Sequence, residues 1–129
     1  MQKIAVIEDV QDNRDFLYYL LRDEFNVVRY GSGEEALQGL KTDVPDLIVL
    51  DIWMDGMDGV KVLQHIRLDA SLRELPVVAL TANAMLGDRE KYLLSGFDEY
   101  ISKPIMDVSA FIATVHHLIA TREKSGSDR

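Results

Sequence analysis

The sequence contains no cysteine among its 129 residues, which excludes a disulfide framework and a cysteine-ligated zinc site. No apolar run approaches the roughly 20 residues that a membrane-spanning helix needs. The N-terminus also lacks the charged and apolar segments of a secretory signal peptide. We therefore expect a cytoplasmic protein that does not enter the membrane.

Basic stretches are missing as well. The chain carries 14 Lys and Arg against 22 Asp and Glu, a formal net charge of −8. Binding to the nucleic-acid backbone depends on clustered Lys and Arg that displace counterions, so we expect no direct contact with nucleic acid. The excess of acids alone does not distinguish a solvated acidic surface from a group of carboxylates gathered around a cation.

Five short apolar runs alternate with segments whose apolar residues follow helical spacing. The runs cover residues 4–7, 27–28, 47–50, 77–80 and 100–101. Strands that are apolar throughout are typical of a parallel sheet with helices on both faces, and a closed barrel of eight such units needs about twice this length. The sequence predicts an α/β fold, a doubly wound five-stranded parallel sheet in the flavodoxin-like order 2-1-3-4-5.

The predicted helices have recognisable ends. Ser32 followed by Glu35 has the spacing of a capping box, and Gly96 is a common helix-ending residue. The other boundaries are approximate: residues 12–23, a helix reaching about 70, residues 84–94 and residues 108–120. One domain is expected over residues 1–121, followed by a polar, disordered tail over 122–129.

Chemically distinctive side chains follow four of the five strands. Glu8 and Asp9 follow the first strand, and Asp51, Thr81 and Lys103 follow the third, fourth and fifth. In the predicted order the strand of Asp51 lies between those of Asp9 and Thr81, each about 4.8 Å away. Lys103 lies about 10 Å away, within reach of a lysine side chain. The carboxyl ends of these strands therefore predict one site.

The chemistry of this set favours phosphoryl transfer. Glu8, Asp9 and Asp51 repel one another unless a cation neutralises them, and an all-oxygen ligand set favours Mg²⁺, with Mn²⁺ as an alternative. A carboxylate can also be the nucleophile toward phosphorus, and Asp51 holds the central position. For any single acid, a helix N-cap is the competing interpretation.

Capping does not account for Lys103, which is followed by Pro104. A cis bond at this proline would aim the lysine side chain into the site.

The complete set of motifs resembles the receiver domain of bacterial response regulators, over about residues 2–120. The matching segments are Ile7-Glu8-Asp9, Asp51-Ile52-Trp53-Met54 through Met57-Asp58-Gly59, Leu80-Thr81-Ala82 and Lys103-Pro104. Each motif is weak alone, whereas the set in this order is specific.

The resemblance implies a function for the acids. Asp51 would accept a phosphoryl group from phosphohistidine on a sensor histidine kinase or a histidine phosphotransfer protein. Mg²⁺ would be bound by Asp9, Asp51 and the backbone carbonyl of Trp53, with Glu8 acting through water.

It also implies a phosphate-binding set and a switch. Thr81, the Ala82 amide and Lys103 would hold the phosphoryl oxygens. Tyr100 matches an aromatic switch that turns inward when Thr81 moves toward the phosphate. The switch would alter the face formed by the fourth helix, fifth strand and fifth helix, where an unknown downstream protein would bind.

One departure from the family pattern, and two positions at which the family varies, lie shortly after Asp51 and Thr81 in the sequence. Asp55 stands where the family usually has proline, which suggests a more flexible or more acidic loop. Trp53 and Asn83 occupy positions that tune the lifetime of the phosphoryl group, and we expect the bulky Trp53 to restrict the approach of water.

Other classes of protein fit less well. An aspartate-nucleophile phosphatase of the haloacid-dehalogenase type needs a second Asp where Trp53 stands. A flavin carrier needs a hydroxyl-rich phosphate loop after the first strand. A degenerate receiver would lack a required residue, and none is missing. The expectation is a monomeric signalling module, either stand-alone or excised from a hybrid histidine kinase, that catalyses only its own phosphorylation and slow dephosphorylation.

Residues outside these motifs carry simpler expectations. Met85, Phe97 and Met106 are expected in the core or at its edge. The three histidines, at positions 65, 116 and 117, are expected in solvated positions.

Overall fold

The computed structural model describes residues 1–82 and 84–127, with side chains through residue 122. Over these residues, five strands alternate with five helices. They are β1 (Lys3–Ile7), α1 (Gln11–Leu21), β2 (Asn26–Tyr30), α2 (Gly33–Thr42), β3 (Leu47–Asp51), α3 (Gly59–Leu68), β4 (Val77–Thr81), α4 (Asp88–Ser95), β5 (Glu99–Ser102) and α5 (Val108–Ser127). Asn83, which the sequence placed near the site, lies outside the described residues.

The sheet is parallel throughout and has the order β2-β1-β3-β4-β5, which confirms the predicted doubly wound fold. Ile7 pairs with Leu50, Asp51 with Leu80 and Thr81 with Ser102. This register places the carboxyl ends of the four strands β1, β3, β4 and β5 side by side at one edge of the sheet.

The core has two parts, one on each face of the sheet. Alternate strand residues such as Ile7 and Leu50 pack with α2 and α3, whereas Val6 and Val49 pack with α1 and α5. Both faces are covered, so the strands can be apolar at every position.

Two helix boundaries differ from the sequence prediction by more than two residues. Helix α4 begins at Asp88, four residues after the predicted start, because Gly87 adopts a left-handed conformation with φ of 87° at its N-cap. Helix α5 continues to Ser127, seven residues beyond the predicted end. Residues 122–127, predicted as a disordered tail, are therefore helical. Arg, Glu and Lys at 122–124 favour helix, whereas the sequence Ser-Gly-Ser at 125–127 does not explain its continuation. Residues 128 and 129 lie outside the described residues, and the domain boundary at 121 stays a prediction.

Two methionines were wrongly expected in or near the core. Met85 is 74% exposed and Met106 is 87% exposed. Both lie in loops before helices, where no buried stripe constrains them. Phe97, by contrast, is 3% exposed, as predicted.

The exposure of the histidines agrees with the sequence prediction. The three histidines are exposed, and one of them, His116, forms a 3.2 Å contact with Glu24. None of the described helices combines the length and apolar character needed to cross a bilayer.

Candidate functional site

Three carboxylates meet at the carboxyl ends of β1 and β3. Glu8, Asp9 and Asp51 each offer an oxygen, and these oxygens all lie within 4.8 Å of one another. Glu8 is fully buried, Asp51 is 5% exposed and Asp9 is half-buried. The structure thus brings together the three acids that the sequence predicted as one cluster.

These acids are not helix caps. Helix α1 has Val10 at its N-cap, with no side-chain capping bond. Helix α3 is capped by Asp58, whose carboxylate accepts a 3.0 Å hydrogen bond from the Lys61 backbone N–H. Asp51 itself is the last residue of β3. The capping interpretation therefore fails for the acids of the site and holds for Asp58.

Lys103 reaches the acids from β5, two strands away from β3. Its Nζ lies 2.7 Å from Glu8 Oε1 and 3.7 Å from Asp51 Oδ1. The Lys103–Pro104 peptide bond is cis, and the Lys103 N–H donates a 2.7 Å hydrogen bond to the Thr81 carbonyl. The predicted reach of the lysine is confirmed, but its shorter contact, with Glu8, was not predicted.

The environment of the cluster changes the pKa of Asp51. Burial, and then the negative charge of Glu8, raise the pKa of Asp51 from 3.8 to about 7, while the positive charge of Lys103 partly offsets the rise. Three carboxylates meet here, and one ammonium group contacts them, so the formal charges of the cluster do not balance. A divalent cation beside the acids would supply the missing positive charge.

Close packing holds the end of β3 in place. The Gly59 N–H donates a 2.9 Å hydrogen bond to the Ile52 carbonyl. A Cβ at Gly59 would lie 2.5 Å from the Asp51 carbonyl oxygen and 2.7 Å from Ile52 Cα. Helix α3 can begin directly against the Asp51 backbone only because glycine has no side chain.

The predicted phosphate-binding residues lie next to Asp51 in the sheet. Thr81, at the end of β4, is fully buried. Ala82 follows and is exposed, and it lines a cavity of about 240 Å³ together with Lys103, Pro104, Phe16 and other residues of α1.

Two aromatic residues lie near the predicted switch and metal positions. Trp53 is 57% exposed, and its backbone N–H donates a 3.3 Å hydrogen bond to Asp51 Oδ1. Tyr100 is half-buried on β5 and stacks on Tyr92, with ring centroids 5.6 Å apart. Its hydroxyl is buried and has no hydrogen-bond partner among the described residues.

Two further contacts with the acids were not predicted. Arg14 Nη1 donates a 2.9 Å hydrogen bond to the Glu8 carbonyl, and the Asp55 backbone N–H donates one of 2.9 Å to Asp9 Oδ2. Both involve a main-chain group. Every residue supplies a carbonyl, and every residue other than proline supplies an N–H, so composition and spacing carry no signal for these contacts. The absence of proline at position 55 was the one available hint.

Comparison with known proteins agrees with this geometry. The family model described as the response regulator receiver domain matches residues 4–116. The polar-differentiation response regulator DivK of Brucella ovis is 36% identical over 115 residues, which cover 88% of this chain and 93% of DivK. An uncharacterised 14.6 kDa protein from the sodA1 3′ region of Leptolyngbya boryana is 39% identical over 103 residues, 79% of each chain.

A solved structure is similar as well. The receiver domain of the sensor histidine kinase PA1611 from Pseudomonas aeruginosa, which has a magnesium ion coordinated in its active-site cleft, superposes with a TM-score of 0.83. Its sequence is 29% identical, and the match covers 92% of this chain and 98% of that domain. Site geometry, family match and relatives agree, and this chain belongs to the response regulator receiver domain family, the signalling modules of two-component systems.

Proposed function

We propose that this chain accepts a phosphoryl group on Asp51 from phosphohistidine, carried by a sensor histidine kinase or a histidine phosphotransfer protein. One observation carries the proposal. Asp51 is an almost fully buried carboxylate with two acids within 4.8 Å and the Lys103 ammonium 3.7 Å away. A cation and an amine on either side of one carboxylate are what an attacking oxygen needs to meet a phosphate without repulsion.

The acidic cluster fits Mg²⁺ or Mn²⁺. Its donors are all carboxylate oxygens, which are ligands of hard cations, and burial together with the negative charge of Glu8 raises the pKa of Asp51. Asp9, Asp51 and the Trp53 carbonyl would hold the ion, with Glu8 acting through water. When bound, the ion supplies positive charge that keeps the carboxylates ionised and offsets the charge of the phosphoryl oxygens.

The transfer itself uses groups of this chain. A carboxylate oxygen of Asp51 attacks phosphorus, and the bond between phosphorus and the donor imidazole nitrogen breaks. That nitrogen leaves with the electron pair and takes a proton from solvent, while Asp51 becomes an acyl phosphate. The Lys103 ammonium, the Thr81 hydroxyl and the Ala82 amide hold the phosphoryl oxygens.

The output of the module is a change in a protein-binding surface. Phosphorylation adds charge and acceptor oxygens that draw Thr81 toward Asp51, and Tyr100 on the neighbouring strand turns with it. The half-buried position of Tyr100 supports this proposal. Leu94 on α4 and Met106 beside α5 are 89% and 87% exposed, so the face formed by α4, β5 and α5 offers apolar contacts to a partner protein.

The proposal is tested by chemical phosphorylation. The protein is incubated with radiolabelled acetyl phosphate and Mg²⁺, and bound label is counted in wild type, Asp51→Asn and a control, Asp23→Asn, whose exposed residue lies in the turn after α1. Wild type and control should take up label, and Asp51→Asn should take up essentially none. Label retained by Asp51→Asn would contradict the assignment of the acceptor.

The role of the cation is tested with the same proteins. Beryllofluoride plus Mg²⁺ should quench the fluorescence of Trp53, the single tryptophan of the chain. The quench should disappear in EDTA and in Asp51→Asn. A quench that persists in either case would count against a metal site at Asp51.

A further inference from the structure

The backbone N–H of Asp55 joins the two loops that carry the acids of the site. It donates a 2.9 Å hydrogen bond to Asp9 Oδ2. Asp9 follows β1, whereas Asp55 lies between β3 and α3. Because β1 and β3 are neighbours in the sheet, this single bond ties together the loops at the ends of two adjacent strands.

Asp9 is the acid of the cluster that is freest to move. Glu8 and Asp51 are buried, but Asp9 is half-buried, with water on one side. Its oxygen lies within 4.8 Å of theirs, so repulsion favours rotation of its carboxylate toward solvent. Within the described part of the chain, the bond from Asp55 is the one hydrogen bond that the Asp9 carboxylate accepts. Bonds between an N–H and a carboxylate are among the stronger ones in proteins.

The donor depends on the type of residue at position 55. Proline has no N–H and could not make this bond. The contact uses the main chain, and the Asp55 residue is exposed. Any residue except proline would therefore retain the donor, although only an acid would also add negative charge nearby.

We infer that the Asp55 N–H is a positioning group that holds the Asp9 carboxylate in place for a divalent cation before the cation binds. The inference rests on the proposed function, because that function requires a cation at Asp9. A ligand already ordered in the metal-free protein loses less conformational freedom when the ion arrives, so the affinity for the ion is higher.

The first test compares Asp55→Pro with Asp55→Ala in Mg²⁺ titrations followed by Trp53 fluorescence. Both variants lose the side-chain charge, and only proline also loses the N–H. We expect Asp55→Pro to bind Mg²⁺ about tenfold more weakly than Asp55→Ala, the factor that corresponds to one hydrogen bond to a charged group. Equal affinities, or tighter binding by Asp55→Pro, would overturn the inference.

The second test uses neither Mg²⁺ nor the Asp55→Pro variant. It therefore shows whether the hydrogen bond from Asp55 to Asp9 forms, even if Asp55→Pro does not fold. Hydrogen exchange of the Asp55 amide is measured by NMR in EDTA, in wild type and in Asp9→Ala. The amide should exchange slowly in wild type and faster in the variant. The Lys61 amide, bonded to Asp58 in the same region, serves as the reference and should not change. Equal rates for Asp55 in both proteins would overturn the inference.

The two tests also separate failure of the inference from failure of the proposed function. A wild-type protein that does not respond to Mg²⁺ would overturn the proposed function, and with it the role of Asp55. A normal wild-type response together with equal affinities of the two variants would overturn the positioning role alone.

Discussion

Opposite edges of the sheet contain charged side chains in two contrasting arrangements. At the amino-terminal edge, Arg67 donates to the carbonyls of Leu75 at 2.6 Å, Gly96 at 2.8 Å and Arg73 at 2.9 Å. It also forms a 2.9 Å ion pair with Asp98, which accepts a hydrogen bond from the first residue of β4. At the carboxyl-terminal edge, three carboxylates crowd together with one lysine.

The paired charges at the amino-terminal edge stabilise the fold, whereas the like charges at the carboxyl-terminal edge destabilise it. The donors of Arg67 are paired with carbonyls and a carboxylate, so its contacts join α3, the loop before β4 and the loop before β5. The acids around Asp51 repel one another, and burial strengthens that repulsion. Ionisable groups with strongly shifted pKa values are common at functional sites, which is consistent with the function proposed for this edge.

The largest change in stability is expected when a paired charge is removed at the amino-terminal edge. Arg67→Met keeps the aliphatic part of the side chain but leaves three carbonyls without this donor and Asp98 without its ion-pair partner. We expect a loss of about 3 kcal/mol in the free energy of unfolding, the sum of a few partly buried hydrogen bonds. Urea denaturation measures it. The control is Arg73→Met, whose side chain is exposed, and it should change stability by less than about 0.5 kcal/mol. Similar losses in both variants would contradict the role of Arg67.

At the carboxyl-terminal edge, removing a charge should raise the free energy of unfolding instead of lowering it. The pKa of Asp51 is raised from 3.8 to about 7, so between these values the folded protein holds a proton that the unfolded chain has released. Raising the pH through this window therefore removes stability from the metal-free protein. Asp51→Asn cannot titrate, and at pH 8 it should be more stable than wild type by about 1 to 3 kcal/mol.

Urea denaturation in EDTA between pH 5 and pH 8 measures this difference. The advantage of Asp51→Asn should be small at pH 5 and should grow toward pH 8, while Asp23→Asn should follow wild type throughout. An advantage that does not depend on pH would show that Asp51 is not the titrating group. Mg²⁺ should restore stability to wild type at pH 8 and have little effect on Asp51→Asn.

The two edges also differ in how far the sequence predicted them. Asp51, Asp9 and Thr81 were predicted to lie together because strand order follows from short apolar runs and fixes which strand ends are neighbours. The position of the Lys103 ammonium beside Asp51 was predicted because the length of a lysine side chain matches a distance of two strands. The Arg67 contacts were not predicted, since three of their acceptors are main-chain carbonyls in loops.

The same limit explains what was missed at the site. The bonds from Arg14 to the Glu8 carbonyl and from the Asp55 N–H to Asp9 depend on loop conformation, which periodicity does not determine. Met85 and Met106 were misplaced for a related reason, because an apolar residue in a loop has no stripe to join.

The smallest effect is expected when exposed side chains are truncated. The lifetime of the phosphoryl group should change at the carboxyl-terminal edge of the sheet and not at the amino-terminal edge. Trp53 is 57% exposed, and its backbone N–H donates a hydrogen bond to Asp51. Leu68 is 85% exposed and lies at the end of α3, next to Arg67 in the chain. If the indole restricts the approach of water to the acyl phosphate, Trp53→Ala should lose its phosphoryl group several-fold faster than wild type. Leu68→Ala should match wild type. The loss of radiolabel after removal of acetyl phosphate measures the rates. Equal lifetimes in wild type and Trp53→Ala would mean that the exposed surface next to the acceptor has no more influence on the chemistry than the surface at the opposite edge.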